Sequence, residues 1–142
     1  MPTVYLIAQP TVSRGGQLPK LEPLAAWGEV RVLVHPGEDP RYNPKRALDR
    51  IRSRLADFDP ATDYIVWAGG DTLAAVLVGA VLSDFAVDEE TPFECFRWLR
   101  WERGKDPRGG RTDEGGTYVP ITVPLNVDNP VILPDEFDPT TD

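Results

Sequence analysis

The chain has one cysteine and one histidine among 142 residues, and each scarcity removes a class of chemistry. Cys95 can form no internal disulfide and has no metal-ligand company, which places the chain in a reducing, cytoplasm-like compartment. With His35 as the sole imidazole and no serine or cysteine motif, a nucleophilic triad has no parts to build from. A Walker lysine motif and a dinucleotide fingerprint are also missing. No apolar run reaches the roughly 20 residues of a membrane span. The longest helix-like one, residues 73–82, follows Gly69-Gly70-Asp71 and reads as a buried helix. The N-terminus enters Val4-Tyr5-Leu6-Ile7-Ala8 without a basic lead, so no targeting segment is expected. Positive charge is short as well. Fifteen Lys and Arg against 23 Asp and Glu leave a net charge of −8, which makes nucleic acid and anionic membrane poor partners.

What is present is an ordinary globular composition, 41% hydrophobic and 27% charged, broken by 15 prolines and 12 glycines. Length and composition fit a single domain that buries about two thirds of its unfolded surface. Residues 3–8 read as a strand apolar on both faces and hence central in its sheet. A loop with Ser13-Arg14-Gly15-Gly16 leads to a short helix over 19–27, and residues 30–34 form a second strand. Residues 44–58 give the clearest helix. Asn43 stands at its N-cap and Pro44 at its first position, with Ala47, Leu48, Ile51, Leu55 and Phe58 on one face. A third strand over 64–68 runs through Gly69-Gly70 into a third helix over 72–85, capped by Asp71 or Thr72. Residues 93–101 and 117–125 then read as an antiparallel hairpin around a long polar, glycine-rich loop, 102–116.

The expected fold is therefore α/β, one three-layer domain over residues 1–125. Three parallel strands carry helices on both faces, followed by the C-terminal hairpin. Residues 126–142, with Asp128, Asp135, Glu136, Asp138 and Asp142 and no basic residue, read as an irregular acidic tail. If the strand order begins 2-1-3, the crevice beyond strands one and three is the switch point where such folds bind ligands.

Two glycine-bearing turns would line that crevice, Arg14-Gly15-Gly16 after strand one and Gly69-Gly70-Asp71-Thr72 after strand three. Such turns expose backbone N–H groups, and a helix start adds more, so a small anionic ligand such as a nucleotide is one occupant. The second turn is similar to the glycine–aspartate turn with which some nucleotide-using kinases hold phosphates, except that Thr72 stands where glycine usually follows. A tight turn with a capping aspartate is the plainer reading. A role for Asp71 as base or Mg²⁺ ligand on a phosphorylated substrate is permitted but not indicated. His35 reads as a satisfied strand-end histidine. In the hairpin, Arg97, Trp98, Arg100 and Trp101 combine the residue types that dominate protein interfaces, and an edge hairpin with tryptophans on the core is the plainer alternative.

The layout resembles a set of small proteins encoded by tailed bacteriophages. The likeness runs through Leu24-Ala25-Ala26-Trp27-Gly28-Glu29-Val30, then Asp63 to Asp71 ahead of an apolar helix. It closes with Arg97-Trp98-Leu99-Arg100-Trp101-Glu102-Arg103 followed by Tyr118-Val119-Pro120-Ile121. That resemblance implies a phage accessory or virion-associated protein in a bacterial cytoplasm and carries over no functional residues. The resulting expectation is a non-catalytic protein without a cofactor that acts on a host or phage protein. Nucleotide capture at Gly69–Thr72, a virion structural role and a homo-oligomer stand as alternatives.

Overall fold

The computed structural model describes residues 1–10, 21–105 and 107–125. Along the chain these residues form β1 (Thr3–Ala8), a 3₁₀ helix (Glu22–Ala26), β2 (Glu29–Val34), α1 (Pro44–Arg54) and β3 (Tyr64–Val66). There follow α2 (Thr72–Ala86), β4 (Cys95–Lys105) and β5 (Arg111–Pro124). The five strands make one sheet in the order β2-β1-β3-β4-β5. The first four are parallel and β5 is antiparallel to β4. The parallel set is thus one strand larger than expected, because the first hairpin strand docks beside β3 at Ile65↔Trp98.

The strand order sets the layers. From β1 the chain steps one way to β2, then crosses back over β1 to β3 and onward to β4. Right-handed crossovers therefore require the 3₁₀ helix on one face and both α-helices on the other. The packing follows that division. Tyr5, Ile7, Leu33 and Ile65 join Ile51 and Leu55 of the α1 region and Val78, Val81 and Leu82 of α2. On the opposite face Val4, Leu6, Val66 and Leu99 meet Leu24 of the 3₁₀ helix and Tyr118 of β5. The second layer is thin, and aromatic rings complete it: Trp27 stands edge-on to Tyr64 at 5.4 Å and Trp101 edge-on to Tyr118 at 4.9 Å.

Four segments differ from the sequence expectation, the first being the short helix expected over 19–27, which is a 3₁₀ helix over Glu22–Ala26. Helix α1 ends at Arg54 although Leu55 and Phe58 keep the apolar spacing to residue 58. The chain tightens there into i→i−3 turns, Ala56 N–H to Ser53 and Phe58 N–H to Leu55, so the spacing reports burial while the hydrogen bonding has already changed. Strand β3 pairs over only three residues, since the chain turns away through Gly69-Gly70. The expected loop 102–116 is largely strand: the hairpin ladder continues to Lys105↔Arg111 past a register shift between Glu102 and Gly104. Backbone pairing in a projecting hairpin needs no apolar side chains, which is why the polar sequence concealed it. The expected tail, 126–142, lies outside the described residues.

Asp63 ties the amino edge of the sheet together. Its buried carboxylate accepts from Thr3 N–H at 2.9 Å and from Asp59 N–H at 2.8 Å, joining the start of β1 to the loop before β3. Replacing Asp63→Ala strands both donors, and the expected loss is about 3 kcal/mol in urea unfolding with an unchanged denaturant slope. A loss under about 1 kcal/mol would show that water replaces the carboxylate freely.

Candidate functional site

The carboxyl ends of β1, β2 and β3 open on a cleft of about 670 Å³. Its floor comes from short side chains, Ala8 at the end of β1, Ala68 and Gly70 after β3, and Ala74 in α2. Gly69 and Gly70 adopt φ of 118° and 96°, values that L side chains rarely take. A Cβ on Gly70 would also stand 3.0 Å from the Ala8 Cβ, so the turn folds back against β1 only with glycine there. The two strands do lie side by side with their ends at one rim, as the 2-1-3 order required.

Asp71 caps α2. Its carboxylate accepts from Leu73 N–H at 2.9 Å, so the free N–H expected to meet an anion is already satisfied from within. Thr72 is exposed at the first helical position. The other wall is the loop after β2. There Arg41 grips Asp39 through Nε and Nη2 at 2.9 and 2.7 Å, and its Nε lies 3.9 Å from the Asp71 carboxylate. Hydrogen bonding from Arg41 holds the Asp39 carboxyl below its ordinary range. One guanidinium therefore stands between two carboxylates from different loops. Asp39 and Arg41 were not among the site residues expected from sequence, because only the fold brings them opposite Asp71.

The chain matches the family described as Phage Pam3 gp32-like protein over residues 2–106. It belongs to that phage family. No curated protein and no solved structure matches it. The family match spans β1 to the end of β4 and so takes in the whole cleft, while β5 lies beyond it. Among the described residues no helix is long and apolar enough to cross a membrane.

The remaining expected residues are distributed by the fold. Arg14, Gly15 and Gly16 lie outside the described residues. His35 is exposed at the cleft rim, and its backbone N–H donates to Glu38. The four hairpin residues divide between the faces by strand alternation. Trp98, half-buried, packs with the α1–α2 core beside Phe96, and Arg100 is exposed on that same face. Arg97 and Trp101 belong to the other. Arg97 lies over the Tyr64 ring at 4.3 Å and donates to the Ala61 carbonyl at 2.8 Å, which makes it a contact of the fold. Cys95 is exposed.

Glu38 fixes the cleft's outer loop to α1. It takes two hydrogen bonds from Arg54 at 2.7 and 2.9 Å, while Arg54 also reaches the Leu33 carbonyl and Arg50 stands 3.4 Å away. The Arg54 hydrogen bonds lead in lowering the Glu38 pKa from 4.5 to about 2. The folded value lies below the ordinary one, so the clamp is complete above about pH 4.5 and is lost as pH falls toward 2. Glu38→Gln is expected to lower stability at neutral pH by about 1 kcal/mol, the scale of a pair partly open to water. That deficit should shrink below pH 4.5; denaturation of both proteins at pH 7 and pH 3 checks it, and a deficit constant with pH would contradict it.

Proposed function

We propose that the protein is a phage accessory protein that acts by binding, and that the cleft at the ends of β1, β2 and β3 holds a small ligand. The observation that carries this reading is position. The cleft lies where the crossover to β2 and the crossovers toward β4 leave on opposite faces, the site where open α/β sheets hold ligands. Its volume, about 670 Å³, falls in the range of small-molecule pockets, and its floor of alanine and glycine leaves room for a flat group.

The polar groups around it favour binding over turnover. Glu38 is engaged by Arg54, Asp39 by Arg41 and Asp71 by the first turn of α2. Each carboxylate is thus a fixed charge with a structural partner, a poor arrangement for a proton carrier. The same commitments narrow the nucleotide alternative. Asp71 occupies the place a phosphate would take at the helix start, and Arg41, the cation lining the cleft, is already held by Asp39. A nucleoside-sized ligand offering hydrogen-bonding groups to the α2 turn fits better than one offering phosphate.

Thermal unfolding of the full chain with millimolar nucleosides, nucleotides and inorganic phosphate tests this. A bound ligand at ten times its Kd adds about 1.4 kcal/mol of apparent stability. The expected pattern is a raised midpoint with a nucleoside and none with phosphate alone. Pro36→Trp, at an exposed rim position, should remove the shift without altering the ligand-free midpoint. Flat midpoints across the panel would remove the reading. Mass spectrometry of purified phage particles decides separately between a role in the cell and a role in the virion.

A further inference from the structure

The helix layer is unfinished over the hairpin. Helix α1 covers one flank of α2, where Arg52 pairs with Asp84 at 2.8 Å. At 100° per residue the opposite flank of α2 is Ala75, Gly79 and Ser83, with Val76 next to it. A Cβ built on Gly79 meets nothing within 4 Å, and Val76 is 64% exposed. The sheet below loses its cover in the same direction. Along the row Ile65–Trp98–Ile121, burial falls from 0% exposed through half-buried to 38% exposed, and Trp67 after β3 is 39% exposed. The space beside α2 and above β4 and β5 is where a further crossover helix would lie, and the chain contributes none among the described residues.

Charge selects the occupant. The carboxyl end of α2 has no basic residue in its last turn, and exposed Asp88, Glu89 and Glu90 follow it directly. A second copy would bring another net charge of −8, and residues 126–142 hold no basic residue, so neither complements that end.

We propose that this face docks an amphipathic helix of a partner protein, laying an apolar stripe along Val76, Trp98 and Ile121 and placing basic residues at the acidic end of α2. The proposal stands apart from the cleft. Binding of the full chain is measured by anisotropy with a labelled peptide of about 15 residues, leucine on one face and lysine on the other, and with its counterpart in which glutamate replaces lysine. The lysine peptide should bind at least about tenfold tighter, with an advantage that narrows at high salt. Val76→Asp should weaken it about tenfold, and Glu89→Lys with Glu90→Lys should weaken it too, with the cleft's thermal response unchanged in each variant. Equal binding of the two peptides, no binding of either, or indifference to Val76→Asp would overturn the proposal. So would a dimer in sedimentation that Val76→Asp dissociates, since the face would then belong to a second copy.

Discussion

β1 has a hydrogen-bonded parallel neighbour on each side and a packed layer on each face, and every other element takes its place from it. Tyr5 and Ile7 point into the α-helical core, Val4 and Leu6 into the thinner aromatic one, and all four are essentially inaccessible. A strand buried this way cannot tolerate a one-residue slip, because the slip would exchange the two faces at once. Its fixed register in turn aligns the carboxyl ends of β2 and β3, which is the geometry that creates the cleft. Asp63 secures the opposite end of the same strand by holding Thr3 N–H.

The cleft and the bare flank of α2 arise from one topological fact. Reversing direction after β2 opens a crevice beside β1, and stepping on to β4 through α2 uses the last helix on that face among the described residues. The final turn back through β5 is a hairpin, which needs no crossover and therefore brings no cover. A hydrophobic helix with only part of its circumference packed is the result, in a protein whose net charge is −8. Membership of the Phage Pam3 gp32-like family covers the frame and the cleft, up to the end of β4.

Much of this was readable before folding was considered. The alternation-free apolar run of β1 announced a central strand, Asn43-Pro44 announced the start of α1, and Gly69-Gly70-Asp71 announced a turn and cap. Each of these signals is local, set by sterics and hydrogen bonding within a few residues. The polar stretch around the hairpin tip was not readable, because ladder hydrogen bonds there are made without a buried face. The candidate site was half legible. Its α2 turn was visible in the sequence, whereas the opposing Asp39–Arg41 pair was not, since nothing near those residues signals a partner 30 positions away.

The sequence by itself determined that β1, β2 and β3 are extended, that α1 and α2 are helical and where their amino ends are capped, while the strand order stood only as a condition. Only the tertiary structure decided that Arg41 stands between Asp39 and Asp71, that Asp71 spends its carboxylate on its own helix, and that Trp98 and Trp101 face opposite ways across the sheet. Propensity and capping act over one or two turns of chain, but the charge that a cleft presents depends on groups brought together from distant loops. Their distances are set by packing, and packing is decided by the whole molecule.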